Sequence, residues 1–356
     1  MSDARASRFG AVRALTKARL KIFFREPGTM FWTFGFPVVL SIVLGIAFRS
    51  RGAEPVVIAV ELTAGADEAR ARSAHELLSQ APDVRPKLLA PAPAAQALRT
   101  GKVSLVVTPS ADGGFAYRFD PTRPESRLAR ARTDDVLQRA RGRADAFTPA
   151  ERQVTEPGSR YIDFLIPGLL GLGLMSTGLW GIGLALAEMR TNRLLKRFVA
   201  TPMRRSDLLA SFLIVRAMLL VVELPPFLIF SRFVFGVGIE GSVVLLVLVA
   251  ALGALTFAVL GLLVASRFEN AQMVSGLINV ISFPMYLCSG IFFSTARFPD
   301  GVQPFVQMLP LTALNDALRA VMIDGAGPRE IAGELGIVAA WGAGSFLLAV
   351  KLFKWR

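Results

Sequence analysis

The stretch YIDFLIPGLLGLGLMSTGLWGIGLALAEMRTNRLLKRFVATPMRR, residues 161–205, decides the fold. Residues 161–187 form an apolar run long enough, as a helix, to cross the roughly 30 Å of hydrocarbon in a bilayer. The next residues are basic. Arg190, Arg193, Lys196, Arg197, Arg204 and Arg205 stand against Asp207 alone, so residues 189–207 carry a net charge of +5. An apolar run closed by a basic cluster is the pattern of a membrane span whose end stays in the cytoplasm.

Outward from this stretch the pattern repeats. Further apolar runs occupy residues 30–48, 208–230, 243–265, 273–293 and 331–350, which makes six expected spans. Gly333, Glu334, Gly336, Gly342 and Gly344 dilute the last, but glycine is tolerated where membrane helices pack closely. A chain that is 53% hydrophobic and 19% charged, with mean hydropathy +0.49, does not have the composition of an ordinary soluble domain. An even number of spans puts both termini on one side. Residues 1–29 also carry +5, from seven basic residues against Asp3 and Glu26, and Lys351, Lys354 and Arg356 add +3 at the other end. Those three segments hold the whole net charge of +13, and the remainder of the chain cancels. Both termini are therefore expected in the cytoplasm. Charges at membrane edges are explained by orientation and lipid headgroups, so a nucleic-acid partner is excluded. Cys288 and His75 are the only residues of their kinds, which excludes an intrachain disulfide framework and a His/Cys zinc cluster. The long charged lead and the lack of a small-residue cleavage site after Phe48 make the first span an expected uncleaved anchor.

Residues 49–160, between spans one and two, are too long for a structureless connection and polar enough to live in water. They read as a small α/β domain outside the cytoplasm. Val56–Val60 is a β-branched run, 66–80 a helix, 94–100 a second helix closed by Gly101, and 103–108 a strand. Asp112, Gly113 and Gly114 turn into a strand at 115–119. Residues 126–143 read as a charged helix whose arginines alternate with Asp134, Asp135 and Asp145, a solvated face rather than a binding patch.

The whole arrangement resembles the membrane subunits of ABC-2 type exporters, in the branch with a large extracytoplasmic domain between the first two of six spans. The residues that carry the resemblance are Arg25-Glu26-Pro27 at the end of a basic N-terminal helix, AAQALRTGKVSLVVTP at 94–109 and FDPTRPESR at 119–127. With them stand EMRTNRLLKRFVATPMRR at 188–205 and LPLTALNDALR at 309–319. Their order and spacing are more specific than any one of them. The expected fold is thus an α-helical polytopic membrane protein of six transmembrane helices with an inserted small α/β extracytoplasmic domain. The resemblance implies a permease in a bacterial inner membrane, exporting a drug-like, antibiotic or lipid substrate. Its implied partners are a second copy of the chain, two copies of an ABC ATPase subunit, and membrane lipids. The chain lacks the Gly-x-x-x-x-Gly-Lys-Ser/Thr loop that cradles ATP phosphates, because its only Gly-Lys pair, Gly101-Lys102, is followed by Val103. ATP and magnesium are accordingly expected in the partner, with no cofactor, metal or catalytic residue here.

Several constellations have two readings. Residues 190–205 look like a short amphipathic helix, with Leu194, Leu195 and Phe198 on one side, Arg193, Lys196 and Arg197 on others, and Thr201-Pro202 as its stop. Composition favours a plain interfacial helix. The resemblance instead implies that Glu188, Arg190, Leu194, Leu195, Arg197, Phe198 and Pro202 couple to the ATPase. The N-terminal helix carries Val12, Leu15, Arg19, Ile22 and Phe23 near one stripe, either as an elbow on the inner leaflet or as a lipid anchor. In span three, Arg216 and Glu223 lie two turns apart just before Pro225-Pro226, where a kink or break is expected. Charges within a span cost about 2.5–3.5 kcal/mol unless paired or hydrated. Glu223 either meets a cationic substrate or ion, or neutralises an arginine. Span five presents Gln272, Ser275, Asn279 and Ser282 as a polar stripe that lines a pathway or binds helices together. Gly173, Thr177, Gly181 and Ala185 in span two form an expected close-packing ladder. Residues 298–324 are too apolar for a free loop and too broken by prolines for a crossing. They read as short helices dipping into the outer leaflet, with Asp316 and Arg319 placed to pair.

Two other functional classes compete with a transporter. An intramembrane enzyme lacks paired aspartates, a Ser/His dyad or a metal cluster in the spans. A sensor or scaffold whose outer domain binds a ligand, and a permease for sodium ions, remain open on sequence.

Overall fold

The computed structural model describes residues 2–31, 35–47, 55–62, 66–110, 114–144, 147, 158, 160–194, 205–268 and 270–352. It divides into two compact units, Met1–Arg49 with Val154–Arg356, and Ser50–Gln153.

The first unit is helical. It opens with α1, Ser2–Arg25, and the 12-residue apolar helix α2, Phe36–Ala47, which falls within the first expected span. Span two is a continuous helical rod in three parts, α6 (Tyr161–Ser176), a π-helical turn at Thr177–Ile182, and α7 (Gly183–Thr191). Span three is α8 (Arg205–Phe230), followed by a π-helical turn at Ser231–Phe235. Spans four, five and six are α9 (Val243–Ala265), α10 (Ala271–Cys288) and α12 (Ala332–Leu352), and between the last two lies α11 (Pro310–Met322). Among the described residues, five helices are long and apolar enough to cross a membrane. Ser242 and Asn270 start α9 and α10 by accepting hydrogen bonds from the amides of Leu245 and Gln272, which satisfies donors that a helix start leaves open.

The helix α9 is the hub, packed against span two, α8, α11 and α12. Its inner face is built from Leu246, Ala250, Ala254, Phe257 and Ala258, all essentially unexposed. Span two packs tightly against it. A Cβ on Gly178 would stand 2.7 Å from the Cβ of Phe257, and one on Gly261 would stand 2.8 Å from the carbonyl oxygen of Gly178. The expected ladder at 173, 177, 181 and 185 is therefore corrected. Gly181 is exposed with nothing near it, while Gly178 and Gly183 make the contact. A π turn accommodates an extra residue, so a spacing of four on one side of it no longer tracks one face on the other. Of the kink or break expected at Pro225-Pro226, the break does not occur, since α8 runs through both to Phe230. Only two backbone donors are lost there, and in this helix that is insufficient to end it.

The second unit is a four-stranded sheet of β1 (Val56–Glu61), β2 (Val84–Leu89), β3 (Leu105–Pro109) and β4 (Phe115–Arg118), in the order β2-β1-β3-β4. The β1/β2 and β1/β3 pairs are parallel and β3/β4 is antiparallel. Helices α3 (Ala66–Ser79) and α5 (Pro124–Ala140) pack on the face carrying Ile58, Val60, Leu105 and Val107. Helix α4 (Pro91–Arg99) packs on the opposite face against Ala59 and Val106. The alternation along β1 sorts its side chains between the two layers. Sequence reading missed β2, VRPKLL, because Arg85, Pro86 and Lys87 mask it; an edge strand tolerates all three. The charged helix is solvated as expected, its buried face restricted to Ser126, Ala129, Thr133 and Leu137, with Arg139 bound to Asp135 at 2.9 Å. At the end of β1 the buried Glu61 carboxylate accepts hydrogen bonds from Thr108 and Arg118, each at 2.9 Å.

Candidate functional site

Three places hold the residues to which sequence points. The first is the C-terminal end of span two. Glu188 and Leu194 are exposed, whereas Arg190 is buried, with 9% of its surface accessible. Its guanidinium donates to the carbonyl oxygens of Ala265 at 2.5 Å, Ser266 at 2.6 Å and Phe268 at 2.9 Å. Those carbonyls belong to the end of α9, where a helix has acceptors without internal partners and the partial negative end of its dipole. The neighbouring Met189 reaches the other way, its sulfur accepting a hydrogen bond from Arg19 of α1 at 3.5 Å. The guanidinium of Arg19 lies 3.2 Å over the ring of Phe212 on α8, a cation–π contact. Burial lowers the Arg19 pKa to about 10, so it remains charged at neutral pH. The stripe expected on α1 runs in the structure through Leu15, Thr16, Arg19 and Phe23, while Ile22 faces outward. The helix α7 ends where Arg193 takes the left-handed conformation, φ 56°, unusual outside glycine. Leu195, Arg197, Phe198 and Pro202 lie outside the described residues.

The second place is the ion pair in span three. Arg216 Nη1 donates to Glu223 Oε2 at 2.8 Å, with 1% and 7% of the two side chains exposed. Thr177 Oγ1, at the start of the π turn, is 3.1 Å from Glu223 Oε1. A cavity of about 60 Å³ adjoins the carboxylate, between Pro37 and Val38 of α2, Leu170 and Gly173 of α6, and Glu223 and Pro226 of α8. In this arrangement the charge of Glu223 is met within its own helix.

The third place is α10 and its end. Ser282 is buried and donates to the carbonyl of Ile278 at 2.6 Å, Ser275 is half-buried, and Gln272 and Asn279 are exposed. The expected stripe is thus split between two environments, and Asn279 shares its outer face with Val280 and Phe283. Beyond Cys288, Asn315 of α11 donates to Ser289 O at 2.8 Å and Arg319 to Gly290 O at 2.9 Å. Arg319 also makes the expected pair with Asp316, at 3.0 Å, and stacks over Phe164 at 3.9 Å. Sequence reasoning missed that Arg190, Asn315 and Arg319 cap the ends of α9 and α10. The available signal at α9 was a terminus, Ala265-Ser266-Arg267-Phe268, with no glycine to close it.

The family model for ABC-2 family transporter proteins matches residues 27–351. Over 189 residues, 52% of its length, the chain is 27% identical to ABC transporter G family member 20 of Dictyostelium discoideum, and that match spans 26% of the relative. Over 200 residues, 56% of its length, it is 26% identical to Nodulation protein J of Bradyrhizobium diazoefficiens, spanning 76% of that protein. The first relative is thus far longer than the part this chain matches. With the family model covering nearly all of a multi-pass helical membrane unit, the chain belongs to the ABC-2 family of transporter membrane proteins.

Proposed function

We propose that this chain is the permease subunit of an ATP-driven exporter, with ATP and magnesium bound and hydrolysed by a separate ABC ATPase. The observation that carries the reading is a membrane unit matched by the ABC-2 family over residues 27–351 in a chain whose one Gly-Lys pair lacks a phosphate loop. Two copies of the chain and two ATPase subunits complete the assembly, in a bacterial inner membrane. Both termini and residues 188–205 lie in the cytoplasm, and 49–160 and the short helices of 298–324 lie on the outer side, as the segregation of the +13 charge supports.

The substrate in this reading is drug-like, an antibiotic or a lipid. The pairing of Glu223 with Arg216 favours a structural role for that carboxylate, and the reading takes Asn279 with Gln272, on the exposed face of α10, as the pathway candidates. An amide facing lipid is costly, which favours a face turned towards a second copy or a watery passage. The test is reconstitution with the ATPase. Replacing Glu188 and Leu194 abolishes stimulation of ATP hydrolysis by the chain while membrane insertion is unchanged; full stimulation in these variants contradicts the coupling assignment.

A further inference from the structure

The geometry points to Arg190 as a positioning residue that ties the end of span four to the end of span two, so that the two move as one body when the adjoining cytoplasmic segment is driven. The inference rests on the coupling reading for its purpose, but not for its existence. Arg190 lies at the last turn of α7, three residues before the left-handed Arg193 that ends the helix. Among the described residues, its forked guanidinium gathers the carbonyls of Ala265, Ser266 and Phe268 from one short stretch. A planar fork with several fixed donors holds such a cluster of acceptors in one orientation, which a flexible ammonium does not. The helix bearing those carbonyls is the hub of the membrane unit, in contact with span two, α8, α11 and α12. Movement delivered to residue 190 therefore reaches the centre of the bundle without passing through side-chain packing alone. Met189 supplies a second arm, through Arg19 to Phe212, so that adjacent residues join span two to α1, α8 and α9.

The test uses the full-length chain in lipid nanodiscs, in a Cys288→Ser background, with spin labels at Asn192→Cys and Arg267→Cys, both exposed positions. With Arg190 present the distance distribution is single and narrow. Arg190→Ala broadens it about twofold or more, and Arg190→Lys falls between, since charge is kept and the fork is lost. An unchanged width in Arg190→Ala overturns the proposal. Should Arg190→Ala fail to insert, Arg190→Lys carries the same comparison. This arm uses the chain alone, so its result stands whether or not the coupling reading does. In the complex with the ATPase, Arg190→Ala lowers stimulated ATP hydrolysis by roughly 2- to 30-fold, the range for cutting one link of a coupling network. Bridging the two cysteines with a short bis-maleimide restores it. Broadened distances with no recovery on bridging overturn the mechanical role. Full stimulation in the Glu188 and Leu194 variants would instead remove the coupling reading and leave the tie itself in place.

Discussion

Arg216 and Glu223 meet at 2.8 Å on span three, two helical turns apart and both buried, with Thr177 of span two closing on the same carboxylate. Removing one member leaves the other charge uncompensated, at a cost of about 3–5 kcal/mol, whereas replacing both by apolar groups is often neutral. Glu223→Leu should therefore lower the yield and thermal stability of purified protein sharply, and Arg216→Leu with Glu223→Leu should recover both. A double variant no better than the single would mean that the pair does more than neutralise itself.

Close packing gives a second contrast. A Cβ on Gly171 would run into Asn315 Oδ1, and one on Gly178 would lie 2.7 Å from the Cβ of Phe257, while Gly181 has nothing within 4 Å. Gly171→Ala and Gly178→Ala should each destabilise by about 1–3 kcal/mol, as overpacking does. Gly181→Ala should be tolerated. Thermal unfolding in detergent reads all three, and a destabilised Gly181→Ala would contradict the register that the π turn imposes.

Arg193 supplies a prediction of opposite sign. Its left-handed backbone costs an ordinary residue about 1–2 kcal/mol that glycine avoids. Arg193→Gly should raise the unfolding temperature of the membrane unit or leave it level. A marked fall would show that the arginine side chain contributes more than its backbone costs.

Much of this was legible in the sequence because hydrophobic length and charge segregation are properties of whole segments. The helices of spans two to six fall where the apolar runs lie, within a few residues at their ends. Local pattern failed where a partner elsewhere decides the outcome. The strand β2 is polar and interrupted by Pro86, and exists because β1 offers it an edge. The π turn at Thr177–Ile182 has no signature in its apolar residues, and it undid a ladder that a uniform helix would have kept. Arg190 reads as one basic residue among several near a membrane edge; only the fold brings the open end of α9 to it.

Orientation can be tested position by position. In a Cys288→Ser background, single cysteines between residues 60 and 150 should react with a membrane-impermeant thiol reagent on intact cells, and Arg197→Cys should react only after lysis. Labelling of Arg197→Cys without lysis would invert the proposed topology.

In the proposed exporter, energy for transport comes from a partner. ATP hydrolysis by the purified chain, free of other subunits, compared with the same chain reconstituted with its ABC ATPase, tests it most directly. The chain alone should show no specific hydrolysis, and hydrolysis by the ATPase subunit should rise when the chain is present. Specific ATP hydrolysis by the isolated chain, or an ATPase indifferent to its presence, would contradict it.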